Sequence, residues 1–340
     1  MIVAKAPMRI SFVGGGTDLP DFYRRTPGRV VSGTIDKYVY VAVNRTPLID
    51  KVSARYSVSE TVGHPTELQH TRIRAALLDL GIDKNIEIAS FASLPVKTGL
   101  GSSSSFTVAL LKALHAFWGK RIDKKGVAEA ASRLEIELIG EPIGKQDQYA
   151  ASFGGFNIFQ FNQDDSVDIK PIFMDFRKQH DLERRLLLFF TGITRAASSI
   201  LAEQKANIDN KFEVLKKMSE SAVNFSHRLH EGDFEGMGGM LHEAWFSKRS
   251  LASNVSSPLI DKLYDAGINA GAWGGKVVGA GGGGCVMFLA SPDKHDAIRQ
   301  AVSSVAKAEN LPEFKEIPVK FVHSGAEIVF NGDELHANVA

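Results

Sequence analysis

Residues 94–106, Leu-Pro-Val-Lys-Thr-Gly-Leu-Gly-Ser-Ser-Ser-Ser-Phe, restrict this chain more than any other stretch. Gly99 and Gly101 bracket a leucine and lead into four consecutive serines, followed by an apolar run to Trp118 with helical spacing. Glycine lets backbone approach a ligand closely, and the first turn of a helix carries N–H groups without intrahelical partners. The helix dipole adds partial positive charge there, and serine hydroxyls can bind phosphate oxygens or a metal ion. A helix cap needs a single serine. Two glycines and four serines exceed that need, and the pattern points to a polyphosphate ligand.

A chain of 340 residues is long for one domain. Two units are expected, 1–180 and 181–330, with the boundary in 175–190 near Pro171 and the polar run 177–183. Forty basic against 39 acidic residues leave a net charge of +1, which gives no support to binding of nucleic acid or membrane surfaces through bulk charge. Cys285 is the only cysteine, so no intrachain disulfide forms, and a reducing cytoplasmic setting is expected. Its apolar neighbours make it a small core residue. The N-terminus lacks a signal-peptide pattern, and no segment reaches eighteen apolar residues.

Strands are expected at 9–13, 29–31, 38–43, 85–91, 156–161, 185–191 and 317–322, where β-branched and aromatic residues gather. Helices are expected at 67–80, 103–118, 124–139, 145–152, 233–249, 257–270 and 293–308. A seven-residue recurrence through Leu201, Ile208, Leu215, Ala222 and Leu229 predicts one long helix over 196–229. Residues 273–290 read as strand, glycine loop, strand. The whole is α+β, and ligands commonly bind between two such units.

Three further segments carry chemistry. Arg9 lies on a strand that runs into Gly14-Gly15-Gly16-Thr17-Asp18. Two readings stand for Asp18: a capping acid in a tight turn, or a carboxylate accepting hydrogen bonds from sugar hydroxyls. The glycines at 274–284 formally contain G-x-G-x-x-G, but a strand-like segment follows where a dinucleotide site opens a helix, and no P-loop sequence occurs. Close backbone approach to a ligand and a plain turn between strands both fit them. In 135–149, Glu137 ends one predicted helix and Asp147 starts the next, as a helix-capping acid or as the group that orients or deprotonates a hydroxyl.

Taken in this order, the segments resemble the GHMP kinases over nearly the whole chain. Residues 94–105 resemble the family's P-x-x-x-G-L-G-S-S-[AS] phosphate loop, 276–284 its C-terminal glycine motif, and Ala6-Pro-Met-Arg9 with 14–18 its N-terminal motif. The resemblance implies a two-domain α+β fold, with an N-terminal ribosomal-protein-S5-domain-2-like unit and a C-terminal ferredoxin-like unit. It implies ATP, Mg²⁺ and a small sugar phosphate as ligands, and leaves a homodimer open. Asp147 would serve as base or electrostatic anchor and Arg9 would stabilise the transferring phosphoryl group. Lys97, Gly99, Leu100, Gly101, Ser102, Ser103 and Ser104 would hold the nucleotide. Ser104, or its neighbour Ser103, with Glu137 would hold the metal. Gly14, Gly15, Gly16, Thr17, Asp18, Gly281 and Gly282 would form the acceptor side, with Arg195 the leading cation for a substrate phosphate and Lys97, Lys248 and Arg249 weaker ones. Galactokinases of the family carry glutamate and histidine where this chain has Gly15 and Gly16, which points away from galactose. The Gly-Gly-Gly-Thr-Asp-Leu-Pro form is similar to the branch that phosphorylates anomeric hydroxyls, with fucose and heptose phosphates among its substrates. A sensor that has lost catalysis is the other class, and the presence of Arg9, Glu137, Asp147 and the serines argues against it.

Overall fold

The computed structural model describes residues 1–95, 97–194 and 197–332. Seven strands come from the first half: β1 (Ile2–Val13), β2 (Gly28–Arg45), β3 (Val52–Arg55), β4 (Ser59–Val62), β5 (Ile86–Ala92), β6 (Phe156–Phe161) and β7 (Val167–Pro171). β2 organises them. It pairs antiparallel with β1, while β6 takes its first part and β5 its second. The Ser102–Phe117 helix lies on β1 and β2 through a side that is apolar along its whole length, from Phe106 to Phe117.

The second sheet holds β8 (Leu186–Phe190), β9 (Gly274–Val277), β10 (Cys285–Leu289) and β11 (Lys315–Glu316), in the order β11-β8-β10-β9. β8 and β10 are buried at every position. Helices Phe234–Arg249, Pro258–Asn269 and His295–Ala308 accompany this sheet. Cys285 is buried in β10, and burial pushes its thiol up to about 12. The chain then returns: β12 (Glu327–Asn331) pairs antiparallel with β1, so the first sheet draws residues from both sides of the 175–190 boundary. One continuous apolar cluster joins Ile10 and Phe12 of β1 to Leu188 of β8, Met287 of β10 and Phe225. Among the described residues no helix is long and apolar enough to cross a membrane.

The structure departs from the sequence expectations in identifiable places. The long helix at 196–229 is two, Ala197–Ala206 and Ile208–Glu231. Asn207 sits between them, with its side-chain amide donating to Leu251 O at 3.1 Å. The helix at 124–139 is regular only for Lys124–Ser132 and continues as a π-helical segment, Arg133–Leu138. The polar run at 177–183, near the expected boundary, forms a helix, Phe176–Glu183, capped by Asp175. The strand expected at 317–322 reduces to a single bridge between Phe321 and Ile35.

Phe12 lies where the units meet, against Phe225 at 5.5 Å, Phe321 at 6.1 Å and Phe156 at 6.5 Å between ring centroids. Phe12→Ala is expected to destabilise the fold by about 3–5 kcal/mol. Urea unfolding should show a lower midpoint with one cooperative transition, because the core is shared.

Candidate active site

A cleft of about 910 Å³ lies where the first sheet and the serine helix meet the 278–283 loop. Arg9, Gly16, Asp18, Lys97, Gly99, Gly101, Ser102, Ser103, Ser104, Asp147 and Gly281 all line it. These residues come from five separate segments of the chain.

Gly101 opens the serine helix. It adopts a left-handed conformation, φ +76°, as the N-cap, and no side chain caps that helix. The first-turn N–H groups of the helix therefore face the cleft uncapped. Among the described residues the Ser102 and Ser103 hydroxyls have no protein partner, whereas Ser105 turns inward to Pro7 O at 2.8 Å. The serines thus divide between cleft-facing and structural positions, with Ser104 between them. Its hydroxyl donates to Glu135 Oε2 at 2.8 Å.

Glu135 is fully buried and accepts four bonds: from Ser104, from Thr107 Oγ1 at 2.8 Å, from Gln148 Nε2 at 2.5 Å and from Arg72 Nε at 2.9 Å. Glu137, the acid expected on sequence grounds, is exposed and is absent from the cleft wall. The signal for Glu135 is in the sequence: it extends the buried stripe of Ala128, Ala131 and Ser132 at helical spacing, and Glu137 falls off it. The π-helical turn, in which Ile139 N bonds Leu134 O, shifts the register at this point. Arg72 also reaches Glu141, at 2.7 Å, on the cleft wall. Burial raises the Glu141 carboxyl above its ordinary range, with Arg72 opposing.

Arg9 projects from β1 and spends its guanidinium on three bonds. Nε and Nη2 meet the two oxygens of Asp147 at 2.7 and 2.8 Å, and Nη1 meets Gly99 O at 2.7 Å. Such a two-pronged pair is the strong, directional form of the arginine–carboxylate contact. Asp147 stands in the first turn of the Gln146–Phe153 helix.

Asp18 is buried and accepts from Gly16 N at 3.1 Å, and from the backbone N and side-chain Nε2 of Gln146, both at 3.2 Å. Burial raises its carboxyl above the ordinary range, and the charge of Asp147 pushes the same way. Gly14 and Thr17 do not face the cleft. A Cβ on Gly14 would sit 1.9 Å from Arg29 O, and Thr17 Oγ1 is spent on Gly14 O and Arg29 O. They build the turn that presents Gly16 and Asp18. Gly15 is also off the cleft wall, beneath Lys248.

The 279–284 loop meets the phosphate loop backbone to backbone. A Cβ on Gly279 would lie 2.6 Å from Gly99 O and one on Gly284 2.5 Å from Thr98 O, while Cys285 N donates to Thr98 O at 3.0 Å. Gly282 is buried with its N–H on Val255 O, and Leu100 is in the core with its carbonyl on Arg9 N. Neither has the open wall position expected of it. Arg195 lies outside the described residues. Sequence reasoning missed the aromatic wall at one end of the cleft, where His70 packs between Tyr56 at 4.6 Å and Phe106 at 5.0 Å. Burial holds the His70 imidazole below its ordinary range.

Comparison with known proteins matches the phosphate loop, the 135–149 segment and the 274–284 glycines. The model of the GHMP kinases N terminal domain covers residues 69–155 and that of the GHMP kinases C terminal covers 225–308, together half of the chain. The chain belongs to the GHMP kinases. It is a phosphotransferase with an alcohol group as acceptor, and GHMP kinases use ATP. This GHMP kinase is 28% identical over 308 residues to a D-glycero-alpha-D-manno-heptose 7-phosphate kinase of Campylobacter jejuni, covering 86% of this chain and 90% of that one. It is 30% identical to a galactokinase of Thermococcus kodakarensis, over 63% of this chain and 67% of the other. Its fold matches the crystal structure of a D-glycero-D-manno-heptose 1-phosphate kinase from Bacteroides thetaiotaomicron with a TM-score of 0.78 and 25% identity, covering 97% and 99% of the two chains.

The two glutamates separate cleanly by experiment. Glu135→Ala removes the buried carboxylate shared by Ser104, Thr107, Gln148 and Arg72, leaves Arg72 only Glu141, and is expected to destabilise this GHMP kinase by about 3–5 kcal/mol. Glu137→Ala, on an exposed surface, should stay within about 0.5 kcal/mol of wild type and keep its activity. Urea titration with a parallel kinase assay checks both.

Proposed function

We propose that this GHMP kinase transfers the γ-phosphoryl group of ATP to the anomeric hydroxyl of D-glycero-D-manno-heptose 7-phosphate, giving the 1,7-bisphosphate. The observation that carries the reading is the Arg9 fork, which joins the acid Asp147 to the carbonyl of Gly99 in the phosphate loop. An acceptor hydroxyl held at Asp147 then faces a phosphate held at the serine helix within one cleft. Likeness to the Campylobacter protein over most of both chains supports the heptose phosphate as acceptor. Gly16 leaves space beside Asp18 for the sugar, and Asp18 accepts its hydroxyls.

Phosphoryl transfer needs positioning and charge neutralisation more than covalent help. The anomeric oxygen attacks the γ-phosphorus as the bridging P–O bond breaks, and the electron pair leaves with ADP. Asp147 takes or steers the hydroxyl proton, and Arg9 fixes that carboxylate while offsetting charge on the phosphoryl oxygens. Gly99, Gly101, Ser102 and Ser103 cradle the nucleotide phosphates, and the His70–Phe106–Tyr56 wall receives its base. A magnesium ion, when bound, would neutralise charge on the β- and γ-phosphates. The residues present fit it: Ser104 gives its proton to Glu135, so its oxygen lone pairs remain for a cation, and Mg²⁺ commonly takes few protein ligands besides phosphates and water. Ser104 would hold the ion, with Glu135 orienting its hydroxyl. The product would feed nucleotide-activated heptose for surface polysaccharide in the cytoplasm.

Coupled measurement of ADP release should give kcat/KM at least about 100-fold higher with heptose 7-phosphate than with free heptose or L-fucose, since a buried site loses this much when a charged partner is missing. Preference for a free sugar would overturn the choice of acceptor and favour a free-sugar 1-kinase. Asp147→Asn is expected to lower kcat by about 10²–10⁴-fold; unchanged turnover would overturn the mechanism.

A further inference from the structure

Lys248 lies in the last turn of the Phe234–Arg249 helix, where a cation ordinarily points to solvent and serves the helix dipole. Its neighbour Arg249 does meet a half-buried acid, Asp261, at 2.8 Å. Lys248 turns the other way. It is 5% exposed and lines the cleft. Among the described residues its ammonium makes one hydrogen bond, to Gly279 O, and no ion pair. An ammonium carries three donors, so two remain. A buried cation without a carboxylate partner is destabilising unless something else satisfies it.

The surroundings indicate what that is. A Cβ built on Gly15 would lie 3.4 Å from Lys248 Nζ, and 3.8 Å from both Gln146 Nε2 and Ser11 Oγ. The absence of a side chain at 15 makes the space the ammonium occupies. The charged groups around it are Arg9 from β1, Asp18 from the turn, Asp147 from the Gln146–Phe153 helix and Lys276 from β9. Lys276 is already spent on the carbonyls of Ser11 and Phe12, at 2.9 and 2.8 Å. Lys248 is therefore a buried cation facing Asp18 and Asp147 with two unspent donors, while three of the five donors of Arg9 are already held by Asp147 and Gly99.

We propose that Lys248 is a substrate-contacting cation of the transfer step, its ammonium seated over Gly15 and donating to the acceptor oxygen and the phosphoryl oxygens beside it. The inference rests on the placement of the acceptor at Asp18 and Asp147. Lys248 makes and breaks no covalent bond and gives up no proton. It offsets the negative charge that passes from the attacking oxygen to the phosphoryl group, as a preorganised donor does in a site closed to water. Burial, with Arg9 adding to it, lowers the Lys248 ammonium to about 8, and Asp18 and Asp147 pull the other way. The free enzyme thus loses this charge just above neutral pH.

Lys248→Met keeps the length of the side chain and removes its charge. With the sugar that wild type phosphorylates, kcat is expected to fall about 10²–10³-fold. ATP affinity by calorimetry should stay within about threefold, because the ammonium is placed on the acceptor and transfer side. The wild-type kcat/KM for the sugar should decline above about pH 8, and the variant should lack that limb. A stability readout separates this from a structural role. The folded pKa lies below the ordinary 10.5, so between about 8 and 10.5 the unfolded chain binds more protons and wild type gains stability as pH rises. The variant should therefore have a Tm at or above wild type at pH 7, with wild type gaining on it by pH 10. Gly15→Ala, which crowds the ammonium, should lower kcat in the same direction. A kcat for Lys248→Met within threefold of wild type would overturn the proposal, as would a loss of ATP affinity large enough to account for the whole fall. Wild-type turnover, measured first, tests the proposed function separately.

Discussion

One guanidinium holds the reactive parts of this GHMP kinase together. Arg9 grips both oxygens of Asp147 and the carbonyl of Gly99, while its own backbone N–H bonds Leu100 O. A residue in the middle of a buried strand thereby sets the distance between the acid and the phosphate loop. Only arginine has the planar fork to meet a carboxylate with two donors and still reach a third acceptor. The acid and the loop are 48 residues apart in sequence, on two different helix starts, and Arg9 bonds both.

The glycines work in a related way. Those at 279–284 look, in sequence, like a surface for a ligand, and Gly281 does line the cleft. Most of the segment instead permits two backbones to touch: Gly99 against Val278 O, Gly279 against Gly99, Gly284 against Thr98 O. Left-handed conformations at Gly99, Gly101, Gly279 and Gly284 make that contact reachable only without side chains. The glycine loop of the C-terminal sheet thus presses directly on the phosphate loop, and one apolar cluster is shared by both sheets. The positions of Arg9, Asp18 and Lys248 relative to the loop follow from this rigid junction.

Much of this was readable in advance. The serine helix begins within a residue of its expected start, because a glycine pair before an apolar periodic run admits few other structures. The strand–loop–strand at 274–289 follows from β-branched residues around glycines. Where the reading failed, the deciding contact was remote. Asn207 divides a helix that the heptad pattern runs straight through, and its side chain bonds Leu251, far along the chain. β3 and β4 are short, mixed in polarity and half exposed, so no periodicity announces them; β5 and a turn supply the reason to be strands. The aromatic wall joins Tyr56, His70 and Phe106 from three elements with no shared motif.

The sequence by itself determined the serine-helix start, the family and the kinds of group in the cleft, because those depend on local backbone freedom and on residue chemistry. Which groups face the ligand was decided by the tertiary structure. Glu135 rather than Glu137 meets Ser104, since Arg72, Thr107 and Gln148 gather on the same carboxylate while Glu137 is left exposed. Gly14 and Thr17 fold into a turn while Gly16 and Asp18 face the cleft, since Arg29 on β2 fills the space behind them. Lys248 turns inward while Arg249 turns out, because Gly15, more than 200 residues away, leaves room for one ammonium. Each of these choices rests on a neighbour distant in sequence, and only folding brings it within reach.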